Sequence, residues 1–195
     1  MTITLTYFGG RGKAEHIRLI LNFLQIEFKD ERISSISDEL RSKLAFGQVP
    51  LYEDGEVSLV QSAAIARYIA NKYNFAGANA AEKAQADAIV DSLPDVITPY
   101  RLATDDAAKL KFRDETLPKF LKAWDNILAK NGGNHFVGAG YTWADIAIYY
   151  GLWLLENNGF KEVVTQFPKL ATFLTTFEAI PHIATYLKNR PDTKF

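Results

Sequence analysis

The chain of 195 residues contains no cysteine, which excludes disulfide frameworks, thiolate metal sites and a cysteine nucleophile. It also lacks an excess of charge of either sign, because 22 basic and 23 acidic residues give a net charge of −1. The broad positive field of a nucleic-acid-binding protein is therefore missing. The most apolar run, residues 146–155, is too short to cross a bilayer. Any thiol chemistry must use the sulfur of another molecule.

Other common classes of protein are also disfavoured by missing patterns. Residues 1–8 have no basic segment followed by a long apolar core, so we expect no signal peptide, no membrane segment and a cytoplasmic location. His16, His135 and His182 are isolated and show no metal-ligand spacing, so we expect no metal. The nucleophile motif of serine hydrolases, Gly-x-Ser-x-Gly, does not occur.

The N-terminal part of the chain alternates between strand and helix patterns. The expected elements are a strand at 2–8, a helix from 13 to 24, a strand at 25–33, a short helix or irregular segment at 38–46, a hairpin at 51–59 and a helix at 62–73. Asp54-Gly55 suits the tight turn of the hairpin. The order βαβ followed by ββα predicts a four-stranded mixed sheet with helices on both faces, as in thioredoxin-like folds.

The remainder of the chain has a different composition. Residues 76–81 are small and polar, as in a linker, and residues 82–195 show helical rather than strand patterns. Thr142 and Asp145 have the spacing of a capping box before the most apolar helix, a feature that contributes about 1 kcal/mol. We therefore predict an α/β thioredoxin-like domain over 1–75, a linker over 76–81 and an all-α domain over 82–195.

Tyr7 is the first candidate for chemistry, because it stands where the first strand ends. A nucleotide-binding loop is excluded there, since Ala14 follows Lys13 where that motif needs Ser or Thr. Tyr7 alone is typical of a half-buried strand residue, but its hydroxyl could also donate to a bound thiolate. Lowering a thiol pKa from about 8.5 to about 6.5 takes roughly 2.7 kcal/mol. One hydrogen bond to a charged group supplies about 1.5–3 kcal/mol, with Lys13 or a helix N-terminus adding the remainder.

Two further motifs suit a peptide-like ligand. In Gln48-Val49-Pro50 the proline is typical of a strand edge, but in the cis form it would present the Val49 backbone for pairing with an extended ligand. Ser62, after Gln61, is typical of an N-cap, but the same free amides and hydroxyl could bind a carboxylate. Together the motifs suggest a ligand with a thiol, a peptide bond and an α-amino acid end.

These motifs and others along the chain resemble the cytosolic glutathione S-transferases, most closely the sigma class, which includes glutathione-dependent prostaglandin D synthases. The matching segments, in chain order, are Tyr7-Phe8 with residues 11–18, residues 46–50, 61–68, 87–91 and 142–145, and the C-terminal Arg-Pro-Asp-Thr-Lys-Phe of 190–195. Each is weak alone, but their common order is specific and spans nearly the whole chain.

The resemblance implies a glutathione S-transferase fold, a homodimer and glutathione as co-substrate. It makes Tyr7 the group that activates the thiol, and it places Val49, before a cis Pro50, against the cysteinyl backbone of glutathione. The other residues that it assigns to glutathione are Gln61 and Ser62 at the γ-glutamyl end, Gln48 and Arg41 near the glycyl end, and Asp95 reaching the γ-glutamyl amine across the dimer interface. The electrophile pocket is expected from Phe8, Gly10, Lys13, Tyr100 and Leu102.

Two positions depart from the sigma pattern. Ser37 stands where relatives have a tryptophan at the glycyl end, and Leu102 stands where prostaglandin synthases have a tryptophan in the electrophile pocket. We therefore expect a detoxifying transferase that adds the glutathione thiolate to small hydrophobic electrophiles. The alternatives are a glutathione-dependent prostaglandin isomerase and a non-catalytic binder of glutathione or hydrophobic ligands.

Overall fold

The computed structural model describes residues 2–193, in which the chain forms two compact units. The first unit contains the N-terminal segment to Tyr73 and the C-terminal segment from Pro181, and the second runs from Asn74 to Ile180. The helices are α1 (Glu15–Phe23), α2 (Asp38–Lys43), α3 (Ser62–Lys72), α4 (Ala80–Asp91), α5 (Leu93–Leu102), α6 (Asp106–Lys111), α7 (Leu117–Lys130), α8 (Trp143–Leu155), α9 (Lys161–Val164), α10 (Pro168–Glu178) and α11 (Pro181–Asn189).

The first unit is built on a four-stranded mixed sheet, as the alternating pattern predicts. Its strands are β1 (Ile3–Phe8), β2 (Phe28–Ile33), β3 (Leu51–Glu53) and β4 (Ser58–Val60), in the spatial order β2-β1-β3-β4. β1 is parallel to β2 and antiparallel to β3, and β3 is antiparallel to β4. The parallel pair is joined through α1, whereas the last two strands form the predicted hairpin.

Helix α1 packs against α3 and α11 in this unit. Its sequence has buried apolar side chains at helical spacing, which form a stripe that faces the core. The apolar residues buried on the three helices include Ile17, Ile20, Leu21, Ile65, Ile69 and Ile183.

The second unit is organised around α8, against which α4, α5 and α10 pack. Nearly all of α8 is buried, as its apolar sequence predicts. At its N-terminus the buried Asp145 carboxylate accepts hydrogen bonds from the Thr142 amide at 2.7 Å, the Thr142 hydroxyl at 3.0 Å and the Phe136 amide at 2.8 Å. The Asp145 half of the predicted capping box is thus formed.

The division of the chain differs from the predicted one at both boundaries. Asn79 caps α4 and Ala80 begins it, so part of the predicted 76–81 linker belongs to a helix. The segment from Pro181 groups with the N-terminal unit and not with the helices of 82–180, because α11 packs on α1. Contacts between such distant parts of the chain leave no mark in a local sequence pattern.

Candidate active site

The three motifs that the sequence singles out meet at one end of the sheet. Thr6 pairs with Leu51, and Leu51 pairs with Val60. Tyr7 follows Thr6 in the chain, Pro50 precedes Leu51 and Gln61 follows Val60, so the three motifs lie at neighbouring strand ends.

The Tyr7 hydroxyl contacts the turn that follows β1. The backbone N–H of Lys13 donates to Tyr7 Oη at 3.1 Å. Gly12 lies directly against the phenol, since a Cβ on Gly12 would be 2.5 Å from Oη. A phenol oxygen accepts and also donates hydrogen bonds, so accepting from Lys13 leaves its own proton to be donated to a ligand.

A buried cation lies next to the same ring. The Arg18 side chain is fully buried, and its guanidinium carbon is 5.9 Å from the centroid of the Tyr7 ring. Arg18 Nε donates to Asp30 Oδ1 at 2.9 Å, and Nη1 donates to the Gly10 carbonyl at 2.9 Å. Arg18 therefore ties the turn after β1 to strand β2 while contributing a cation–π contact to Tyr7.

The second motif begins β3. The Val49–Pro50 peptide bond is cis, as the resemblance implies. Gln48 is exposed, Val49 is half-buried and Pro50 is buried. Arg41 is an exposed residue near the end of α2, from which the chain reaches Gln48 through two successive turns.

Ser37 has a structural role in this chain. Its hydroxyl accepts a hydrogen bond from the Leu40 amide at 3.1 Å and so caps the N-terminus of α2.

The third motif forms the entry to α3. Gln61, not Ser62, occupies the cap position, and its side chain makes no cap hydrogen bond. Its φ of +74° is a conformation that costs a non-glycine residue about 1–3 kcal/mol. Ser62 is the first residue of the helix, beside the amides of its first turn, which favour an anion.

His16, which no sequence motif singles out, lies on α1 close to this entry. Burial lowers the pKa of His16 to about 4, although a hydrogen bond to the Ser62 backbone acts in the opposite direction. The imidazole is therefore neutral at physiological pH, and it connects α1 to the start of α3.

The remaining predicted site residues divide between the two units. Phe8, 39 % exposed, and Gly10 and Lys13 belong to the first unit, next to Tyr7. The second unit contains Asp95, Tyr100 and Leu102, all on α5. Asp95 is exposed in the first turn, the Tyr100 ring contacts the rings of Phe112 and Phe160, and Leu102 is 73 % exposed.

A cavity of about 590 Å³ in the first unit does not include the predicted glutathione residues. Its lining residues are Thr2, Asn22, Gln25, Ile26, Glu27, Phe28, Lys29 and His182. Within residues 2–193, no cluster of three or more His, Asp or Glu side chains is arranged to hold a metal ion. Over the same residues, none of the helices is both long and apolar enough to span a bilayer.

Comparison with known proteins identifies the family. The N-terminal domain of glutathione S-transferases matches residues 3–71, and the C-terminal domain of glutathione S-transferases matches residues 92–190. The chain belongs to the glutathione S-transferase family.

Individual relatives agree with the family assignment. Glutathione S-transferase 4 of Caenorhabditis elegans is 35% identical over 202 residues, covering 97% of each chain. Human hematopoietic prostaglandin D synthase is 34% identical over 197 residues, also covering 97% of each. The solved glutathione S-transferase of Ascaris lumbricoides superposes with a TM-score of 0.86 at 31% identity, over 100% of both chains.

These comparisons confirm the predicted sigma-like glutathione S-transferase class, the two-part fold and the expectation of a transferase. The family uses glutathione as co-substrate and binds hydrophobic second substrates. The sequence analysis did not assign roles to Gly12, His16 and Arg18, which contact Tyr7 or the entry to α3. A glycine in the turn after the tyrosine and a charge among the apolar positions of α1 were the available signals.

Proposed function

We propose that this glutathione S-transferase transfers the thiolate of glutathione to small hydrophobic electrophiles, with the Tyr7 hydroxyl stabilising the thiolate. The observation that carries this proposal is the placement of Tyr7, Pro50 and Gln61 directly beyond neighbouring strand ends, with the Tyr7 oxygen already accepting from Lys13.

The chemical step follows from these positions. The glutathione thiol loses its proton to solvent on binding, and Tyr7 donates its O–H to the resulting sulfur anion. With a chloroarene, the sulfur electron pair forms the C–S bond, and the C–Cl pair leaves as chloride. The thiolate attacks directly, so no covalent intermediate on the protein is required.

The other residues hold glutathione in place in this proposal. Val49 pairs with the cysteinyl backbone beside cis Pro50, while Gln48 and Arg41 lie toward the glycyl end. At the other end the entry to α3 receives the γ-glutamyl carboxylate through Gln61 and Ser62. The open first turn of α3 suits an anion, which supports this orientation.

The assembly and the second substrate rest on the resemblance. We propose a homodimer in the cytoplasm, in which Asp95 of a second subunit meets the γ-glutamyl amine. Phe8, Gly10 and Lys13, with Tyr100 and Leu102, remain the proposed contacts of the electrophile. Light scattering of the purified protein tests the dimer, since a monomeric mass at assay concentrations would contradict it.

Replacing Tyr7 by Phe tests the thiolate role. Loss of a hydrogen bond worth about 1.5–3 kcal/mol should raise the thiol pKa of bound glutathione by about 1–2 and lower turnover of 1-chloro-2,4-dinitrobenzene near pH 6.5 about 10- to 100-fold. Glutathione affinity, measured by calorimetry, should change little. Tyr73→Phe, which changes a half-buried tyrosine of the same unit, is the matched control. An unchanged thiol pKa in Tyr7→Phe would reject the assignment.

Prostaglandin isomerisation is the second candidate function. The 34% identity to human hematopoietic prostaglandin D synthase favours it, whereas Leu102 at the position of the expected tryptophan argues against it. Incubation with the endoperoxide substrate and glutathione, followed by product identification, separates the two. Binding of glutathione without conjugation of any electrophile in a broad panel would instead favour a binding protein.

A further inference from the structure

The first residue of α1, Glu15, is a buried carboxylate that accepts hydrogen bonds from α11 and from the segment that follows it. Its side chain is only 1% exposed. Arg190 Nη1 donates to Glu15 Oε1 at 2.7 Å, the Tyr186 hydroxyl donates to the same oxygen at 3.0 Å, and Arg18 Nη1 lies 3.4 Å from Oε2. Burial and the Glu15 carboxylate raise the pKa of Tyr186, so its hydroxyl remains a donor.

The segment after α11 makes a second connection to the same turn. The Arg11 side chain donates to the Thr193 carbonyl through Nη1 and to Asp192 Oδ1 through Nη2 at 3.4 Å. Asp192 is fully exposed and contributes little, whereas the Arg11 side chain is only 11% exposed. The segment 190–193 therefore lies along the turn and contacts it on both sides of Gly12 and Lys13.

The residues between these two connections are those that seat the Tyr7 phenol. Lys13 donates its amide to Oη, and Gly12 leaves the space that the ring occupies. On the inner side Arg18 donates to the Gly10 carbonyl while contacting Glu15. Glu15 thus links Arg190 to Arg18, the cation beside the Tyr7 ring.

We propose that Arg190 is a positioning residue for Tyr7: by neutralising Glu15 it holds the turn whose Lys13 amide and Gly12 fix the phenol against the glutathione thiolate. This inference rests on the proposed role of Tyr7. It places a residue near the C-terminus among the determinants of thiol ionisation, although Arg190 itself does not touch the substrate.

A positioning role of Arg190 and a purely stabilising role predict different effects on the thiol pKa of bound glutathione. If Arg190 only stabilised the fold, its replacement would lower the melting temperature and leave the remaining folded protein with an unchanged thiol pKa. If it positions Tyr7, the folded protein itself should ionise glutathione less well. Thiolate absorbance of bound glutathione and the pH profile of kcat/KM report on the folded protein alone.

The variant to test is Arg190→Gln, with Arg190→Lys as the conservative variant. We expect Arg190→Gln to raise the thiol pKa of bound glutathione by about one half to one and to lower kcat/KM at pH 6.5 about three- to tenfold. Arg190→Lys retains the charge and should recover much of this loss. Arg113→Gln, which removes an exposed arginine paired with Asp114, is the matched control and should leave the profile unchanged.

Tyr7→Phe separates this inference from the proposed function. In a Tyr7→Phe background Arg190→Gln should cause no further rise in the thiol pKa, because the donor that it positions is gone. A thiol pKa unchanged in Arg190→Gln but raised in Tyr7→Phe would overturn the inference alone. A thiol pKa unchanged in Tyr7→Phe would overturn the proposed function and the inference with it.

A milder variant keeps the inference testable should Arg190→Gln not fold. Tyr186→Phe removes one hydrogen bond to Glu15 and preserves the shape of the side chain. It should raise the thiol pKa in the same direction by a smaller amount. A loss of melting temperature with no change in the thiol pKa would count against the positioning role.

Discussion

Gly12→Ala should displace the Tyr7 hydroxyl without removing any functional group from the site. A Cβ at position 12 would lie 2.5 Å from Tyr7 Oη and 2.9 Å from Cε1. Ordinary contacts lie near 3.5 Å, so the phenol oxygen must retreat by about 1 Å. Its 3.1 Å hydrogen bond from Lys13 would then be stretched or broken.

The expected cost has two parts that can be measured separately. The φ of +43° at Gly12 is left-handed, which costs alanine about 1–2 kcal/mol of folding free energy. Displacement of a reacting group by about 1 Å can lower a rate about 100-fold. We therefore expect kcat/KM near pH 6.5 to fall about 10- to 100-fold, with a higher thiol pKa of bound glutathione and a modest loss of melting temperature.

The same turn provides the control. A Cβ at Gly9 meets nothing within 4 Å, so Gly9→Ala should leave the pH profile of conjugation unchanged. In a Tyr7→Phe background, Gly12→Ala should cost little further activity, because the hydroxyl that the Cβ displaces is already gone. A Gly12→Ala protein that melts earlier but keeps the wild-type pH profile would refute this reasoning.

Three further predictions concern the first unit. Burial would raise the pKa of Asp54, but hydrogen bonds from Lys72 and other groups hold it well below its ordinary value. Stability should therefore fall as the pH drops below about 4; urea unfolding of Asp54→Asn should lack this dependence and show a free energy of unfolding lower by about 1.5–3 kcal/mol at pH 7. Because burial lowers the pKa of His16 to about 4, the unfolded chain binds a proton at a higher pH than the folded protein does. The free energy of unfolding should therefore fall as the pH drops from about 6.5 to 4. Urea midpoints of His16→Asn should not show this change. A fragment of residues 1–75 should not bind glutathione in calorimetry, because it lacks α11, which packs in the same unit. Joining residues 181–195 to this fragment through a flexible linker should restore binding. Binding by the 1–75 fragment alone would show that the glutathione site does not require α11.

The sequence predicted those parts of the site that local rules determine. Alternation ends β1 at Phe8, so the position of Tyr7 near a strand end could be predicted directly, as could the hairpin whose strands are flanked by Pro50 and Gln61. The positive φ of Gln61 could not be predicted, because a glutamine has no preference for that conformation.

The partners of the turn were unpredictable for a different reason. Glu15 and Arg190 are 175 residues apart in the chain, and neither lies in a pattern that marks a buried pair. A charged residue on the buried face of an amphipathic helix signals that a partner exists, but it does not identify the partner. The same limitation placed α11 in the wrong unit, since its apolar stripe shows only that it packs against something.

The energetics explain why so many residues support one hydroxyl. Ionising a thiol at neutral pH takes roughly 2.7 kcal/mol, and one hydrogen bond to an anion supplies about 1.5–3 kcal/mol. The margin is small, so a hydrogen bond weakened by about 1.4 kcal/mol lowers the ratio of thiolate to thiol tenfold. A tyrosine in this role must be held where its bond is near its best geometry, and the Lys13 amide, Gly12 and the Arg18–Glu15–Arg190 chain provide that restraint. Changes in the turn should therefore raise the thiol pKa of bound glutathione in the same direction as loss of the Tyr7 hydroxyl.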